Sequence, residues 1–233
     1  METTTVSSNG PNYKYYDFLM AAFVTILLCT DLIASSKVCE IAGFHFGGGI
    51  LFFPMSYFFD DVLTEVYGYK GSRRVVWAGF TALVFASVMS WVVVALPASK
   101  DWPHQNELKI VFGQTPRIVF ASLTAYWAGE FCNAYIMAKV KILTNGKYLW
   151  IRTLGSTVVG EAVDSLIFYP VAFYNEWPIP LILSVMISNF CLKVLWEVLM
   201  TPAVYLIINF LKKHENLEIY DYDTDFNPFS LEK

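Results

Sequence analysis

Six stretches of this chain are apolar over about the length a helix needs to cross a lipid bilayer, and that restricts the folds open to it. A hydrocarbon core about 30 Å thick takes roughly 20 helical residues. Within it, only helices or closed barrels satisfy their own backbone hydrogen bonds. The stretches run over residues 16–36, 49–69, 74–96, 117–139, 152–174 and 180–211. Of the 233 residues, 56% are hydrophobic and only 15% charged; a soluble domain usually carries about 25% charged residues. The expected fold class is an all-α integral membrane protein with six transmembrane helices over residues 16–211. A polar N-terminus (1–15) and an acidic tail (212–233) flank it.

The cations test this count. With a cytoplasmic N-terminus and six crossings, eleven fall on the inner side: Lys14, Lys70, Arg73, Arg74, Lys139, Lys141, Lys147, Arg152, Lys212, Lys213 and Lys233. Four fall outside (Lys37, Lys100, Lys109 and Arg117), and Lys193 lies within the last crossing. That is the positive-inside pattern, and it places both termini in the cytoplasm. Tyr15, Tyr16, Tyr69, Trp102, Tyr148, Trp150 and Trp177 sit near span ends, as interfacial anchors do. The last run, from Pro180 to Lys212, would rise about 48 Å as one helix. It is expected to tilt, to begin outside the core, or to kink at Pro202. The tail from His214 reads as a solvated extension. Residues 1–14 carry no apolar segment after a basic one, so no cleavable signal peptide is expected there. Gly47-Gly48-Gly49 before Pro54 reads as a loop entering the second span, with a broken helix as the alternative.

Several classes are disfavoured. A net charge of −4 points away from nucleic acid. Cys29, Cys39, Cys132 and Cys191 stand singly, and His45, His104 and His214 are dispersed, so neither a disulfide framework nor a metal or cofactor site is expected. Gly-x-Ser-x-Gly, His-Glu-x-x-His and the phosphate-binding Gly-x-x-x-x-Gly-Lys-(Ser/Thr) are all missing from the sequence. An enzyme is therefore not expected. Two rivals remain: a substrate-binding subunit energised by a separate ATPase, and an acidic-site intramembrane enzyme.

The informative residues are those that oppose insertion. Asp61, Glu65, Glu130, Glu161, Asp164, Lys193 and Glu197 lie within the spans. Each acid at mid-helix costs roughly 2.5–3.5 kcal/mol, against about 0.3–0.6 returned by a Leu. Such residues face the bundle interior, pair with one another, or bind something. Asp61 precedes Lys70 by nine residues, Glu130 precedes Lys139 by nine, and Glu161 follows Arg152 by nine. Each is then about 14 Å from a flanking inner cation, so three helices set a carboxylate at one level, where transporters keep substrate and ion sites. Gly129-Glu130-x-x-Asn133-x-x-Ile136 also echoes Gly160-Glu161-x-x-Asp164-x-x-Ile167. As a true repeat, it would make a 3+3 bundle of halves with opposite topology.

Structural readings compete for some of these groups. Glu65 has Arg73 or Arg74 as an expected partner. Lys193 and Glu197, four residues apart, could neutralise each other. Asn133 and Asn189 could simply join helices.

The motifs resemble those of one known family. Phe53-Pro54-Met-Ser-Tyr-Phe-Phe-Asp60-Asp61-Val-Leu-Thr-Glu65-Val-Tyr67-Gly68-Tyr69-Lys70-Gly-Ser-Arg73-Arg74 is similar to the second-helix signature of the queuosine precursor transporters. Arg152-Thr153-Leu-Gly155-Ser156-Thr157-Val-Val-Gly160-Glu161-Ala-Val-Asp164-Ser165-Leu-Ile-Phe168 resembles their fifth-helix signature, and Phe190-Cys-Leu-Lys193-Val194 their sixth. The likeness spans roughly residues 17–211. One departure is that the family's Asn near the end of helix one is missing from Asp31-Leu-Ile-Ala-Ser-Ser-Lys37, so no role passes to Asp31. The resemblance implies a multi-pass protein of the bacterial inner membrane. Its substrate would be a small deazapurine: 7-cyano-7-deazaguanine, its aminomethyl relative, or queuine. Glu161 or Glu130 would accept the guanine-type N–H edge, with Asp164, Asp61 and Asn133 in support. Lys193 would balance charge, Lys193 or Asn189 would donate to the ring carbonyl, and Trp127 or Phe168 would stack on the base. The lipid bilayer is the expected surrounding, and a homo-oligomer is left open.

Overall fold

The computed structural model describes residues 13–31, 38–41, 44–47, 52, 54–114 and 116–230. Six helices carry the fold: α1 (Tyr16–Cys29), α2 (Pro54–Ala95), α3 (Gln105–Phe112), α4 (Pro116–Leu143), α5 (Leu149–Phe173) and α6 (Ile179–Glu215). Three of them, α2, α5 and α6, are long and apolar enough to cross a membrane, and α1 is apolar but shorter. One feature departs from a purely helical fold. Strands β1 (Val38–Ile41) and β2 (Phe44–Gly47) form an antiparallel hairpin with Val38 opposite Gly47. Val, Ile and Phe favour strands, so the local composition permits it. Gly48 and Gly49 lie outside the described residues.

The second and third apolar runs join in α2, and Gly68 makes two arms of it. Gly68 takes φ 73° and ψ 175°, a conformation open to glycine and strained for other residues. Past the bend, Ser72 Oγ donates to Asp60 Oδ1 at 2.6 Å. Twelve residues of straight helix would separate them by about 18 Å. The arms, 54–67 and 69–95, therefore turn back on each other. The first arm is about 21 Å long, and nearly all its residues from Asp60 to Tyr67 are buried. Protein rather than lipid surrounds it.

Helices α4 and α5 follow from a short connection, which forces antiparallel neighbours. Gly146, at φ 73°, ends α4 by donating its N–H to Lys141 O at 2.9 Å. The two helices touch at glycine. A Cβ on Gly129 would lie 3.1 Å from both Gly160 O and Asp164 Cβ. A Cβ on Gly160 would lie 3.0 Å from both Gly129 O and Asn133 Cβ. The contact is reciprocal, and it uses equivalent positions of the two echoing motifs.

One end of the bundle collects the start of α1, the Gly68 bend, the α4–α5 connection and the end of α6. The Lys14 and Tyr15 backbone N–H groups donate to Glu215 at 3.1 and 2.8 Å, Tyr67 Oη donates to Glu215 at 2.9 Å, and Tyr16 Oη donates to Gly71 O at 2.8 Å. Glu65, fully buried, joins the rest. It accepts from Arg152 Nε at 2.7 Å and Nη2 at 2.8 Å and from Lys212 Nζ at 2.6 Å, with Lys141 Nζ at 3.3 Å. The partners expected from local spacing, Arg73 and Arg74, are not used. Arg73 donates to Asp225 O and Asn227 O, and Arg74 is exposed. The bend sends Glu65 and Arg73 along different arms, so closeness in sequence does not become contact.

Helix α6 runs from Ile179 to Glu215 with Pro202 inside it. One further expectation changes, since the tail is not a free extension. Asp221 accepts the Tyr69 N–H at 3.1 Å, Tyr69 Oη donates to Phe226 O at 3.0 Å, and Trp77 Nε1 donates to Pro228 O at 2.8 Å. Phe229 packs on Trp77 and Trp127, and Lys139 Nζ lies 3.8 Å from the Phe226 ring centre. The tail thus lies along the second arm of α2 and α4, because its aromatic residues and carbonyls find partners there.

Candidate functional site

Four helices bring charge into the middle of the bundle. The first arm of α2 contributes Asp60 and Asp61, both fully buried, with Tyr57 on the same face one turn earlier. Asn133 of α4 donates its amide to Asp60 Oδ2 at 2.9 Å and to Asp61 Oδ1 at 3.0 Å. Glu130, one turn before Asn133, lies beside Asp60. Two adjacent acids are therefore clasped by one neutral amide and one serine.

On α5, Glu161 and Asp164 share a face, and α6 brings Lys193 to both. Its Nζ stands 2.7 Å from Glu161 Oε2 and 3.3 Å from Asp164 Oδ2. Tyr57 lies within hydrogen-bonding reach of Glu161, linking the two halves of the layer. Asn189, one turn before Lys193, donates to Tyr169 Oη at 2.5 Å. Lys193 thus pairs across to α5 and not along α6 with Glu197. The Gly129–Gly160 crossing lies within this layer and lets α4 and α5 approach closely enough for it to form.

Much of the layer has no partner. Asp61 Oδ2, Glu130 Oε2, Asn133 Oδ1, Glu161 Oε1 and both carboxylate oxygens of Glu197 are buried with no hydrogen bond, as are the hydroxyls of Thr64, Thr157 and Ser165. Each such group costs about 1–3 kcal/mol, and more if charged. A ligand that carries donors would recover this energy.

Of the residues expected from sequence, Glu161, Glu130, Asp164, Asp61, Lys193 and Asn133 converge here, and Asn189 borders them. Two are placed elsewhere. Trp127 packs against Trp77, Phe131 and the tail's Phe229, at ring separations of 6.3, 5.2 and 5.4 Å. Phe168 packs against Tyr169 and Phe173 at 5.2 and 5.8 Å. Three members were not singled out in the sequence, Asp60, Tyr57 and Ser72, while Glu197, read there as a partner for Lys193, has no hydrogen bond. Asp60 and Tyr57 had a signal, since they share a helical face with Asp61. Ser72 had none, because only the bend brings it in.

The acids of the layer are buried in this conformation. A cavity of about 740 Å³ lies apart from it, at the opposite end of the bundle from Glu65, lined mainly by apolar groups with Asp31 and Gln114 among them.

An apolar helical bundle with buried charge drawn from α2, α4, α5 and α6 has the build of a multi-pass membrane protein. Residues 47–207 match the family described as "Putative vitamin uptake transporter". The chain is 32% identical over 190 residues to the "Probable queuosine precursor transporter" of Bacillus subtilis, covering 81% of each chain. It is 23% identical over 217 residues to the "Queuosine precursor transporter" of Escherichia coli, covering 89% of this chain and 93% of that one. No solved structure matches. The chain belongs to the vitamin uptake transporter family, whose curated relatives carry the queuosine precursor transporter name. It is a transporter of a small molecule and not an enzyme.

Proposed function

We propose that this protein imports queuosine precursors, 7-deazaguanine bases, across the bacterial inner membrane. The observation that carries the reading is the buried carboxylate layer with its unpartnered oxygens, drawn from four helices of a transporter. A guanine-type edge offers a ring N–H and an exocyclic amine. One carboxylate accepts both, and Glu161 Oε1 and Glu130 Oε2 are among the acceptors without partners. Lys193 donates to the ring carbonyl once Glu161 turns to the base. Asp61, Asp164 and Asn133 hold the acceptors in place. Tyr57 supplies an aromatic face already within the layer. Trp127 and Phe168 join only after the helices move.

The chain crosses the membrane six times in this reading: α1, the two arms of α2, α4, α5 and α6. Both termini are cytoplasmic, at the end that holds Glu65. The meeting of the α1 start and the α6 end at Glu215 supports an even number of crossings. The reciprocal Gly129–Gly160 contact supports an inverted 3+3 repeat with its local two-fold axis there.

The test is queuosine in the tRNA of a bacterium that can neither make nor import its precursors but retains the downstream enzymes. Each precursor is fed separately to cells expressing this protein or its Glu161→Gln form. Restoration by at least one compound, lost in the variant at equal membrane abundance, is expected. No restoration with the protein in the membrane refutes the substrate class. Full restoration by Glu161→Gln removes Glu161 from the site.

A further inference from the structure

The charge balance of the layer says something about the substrate that the family resemblance does not. Six carboxylates are buried together (Asp60, Asp61, Glu130, Glu161, Asp164 and Glu197), and Lys193 is the ammonium among them. Lys193 is committed to Glu161 and Asp164. Of the remaining four, Asp60 and Asp61 accept from the neutral donors Ser72 and Asn133, Glu130 shares a hydrogen bond with Asp60, and Glu197 has none.

The deficit is concentrated at one place. Glu197 of α6 is 1% exposed, and neither of its carboxylate oxygens has a partner. Asp61 of α2 leaves Oδ2 unpartnered, and Glu197 is among its charged neighbours. Buried carboxylates with no donor are expensive, and like charges facing each other add to that cost. A primary or secondary ammonium fits here, since it brings two or three donors and a positive charge to a pair of acceptors. A nitrile brings neither.

We propose that Glu197 and Asp61 form a cation subsite for a protonated amine on the transported deazaguanine, so that this transporter prefers amine-bearing precursors to the neutral nitrile. The proposal rests on the functional reading above. The base is read on the Glu161–Glu130 side of the layer, and the substituent at C7 reaches across to Glu197 and Asp61. Glu197 is thereby a specificity residue and not a brace for Lys193.

The experiment is equilibrium binding to purified protein in detergent. It uses 7-aminomethyl-7-deazaguanine, queuine and 7-cyano-7-deazaguanine, in sodium and in choline buffers. The two amines are expected to bind at least about tenfold more tightly than the nitrile, the range of one well-made buried ion pair. Glu197→Gln and Asp61→Asn are each expected to erase that preference, and Glu197→Asp to retain part of it. Nitrile binding as tight as amine binding overturns the proposal, and this outcome needs no variant. A preference that survives both amide variants also overturns it. So does nitrile binding raised to the amine level by sodium, which would assign the subsite to a coupling ion. Failure of all three compounds to bind the wild type counts against the functional reading itself.

Discussion

A single carboxylate, Glu65, answers three cations, and this fixes what its removal does. Arg152, Lys212 and Lys141 come from α5, α6 and α4, and both Arg152 and Lys141 are almost wholly buried. Breaking a buried pair by removing one partner costs more than the pair contributes, because the other charge is left in low dielectric. Glu65→Gln should therefore lower stability by about 3 kcal/mol or more. Thermal unfolding in detergent reads this directly, and an unchanged melting point would show the network to be incidental. Arg152→Lys gives up the two-pronged geometry but keeps the charge, so it should cost less. The partners of Glu65 were illegible in the sequence. They lie 76, 87 and 147 residues away, while the decoys Arg73 and Arg74 are close by. The level shared by Asp61, Glu130 and Glu161 was legible, because helical rise converts residue counts into depth.

Among the elements, the α4–α5 crossing depends on two glycines that the sequence presents as half of a weak repeat. Gly160→Ala would press its methyl on Gly129 O and Asn133 Cβ, with the α4 backbone in the way. A loss of about 1–3 kcal/mol is expected. Gly155 lies on the same helix with nothing within 4 Å of an added Cβ. Gly155→Ala should therefore be neutral or stabilising by up to about 1 kcal/mol, through helix propensity alone. Melting the pair side by side separates packing from propensity; equal shifts would mean that the crossing is not tight. The division of α2 is the counterpart. Two apolar runs were readable, and so was the short link between them. That the turn falls at Gly68 and folds Ser72 onto Asp60 depends on a dihedral that only glycine reaches without strain.

For the whole molecule, the tail links the second arm of α2 to α4. Its bonds to Tyr69, Arg73 and Trp77 close that side of the bundle. Ending the chain after Asn216 removes them and uncovers Trp77 and Trp127. These five hydrogen bonds contribute about 1 kcal/mol each. The truncated protein should melt earlier, with tryptophan emission shifted to the red. Emission and melting point identical to the full chain would mean that the tail is not held there.

The sequence by itself determined the membrane class, the helical runs, the side of the bundle that gathers the cations, and the family. The first three follow from local quantities, the apolar length of a run, the rise of a helix and the order of charges along the chain, and the family from the resemblance of its motifs. Tertiary structure alone decided which charges meet. It sent Lys193 to Glu161 and Asp164, left Glu197 buried without a hydrogen bond, gave Glu65 its three cations and seated the tail on Trp77. Pairing depends on where helices bend and cross, and those positions are set by contacts between residues far apart in the chain.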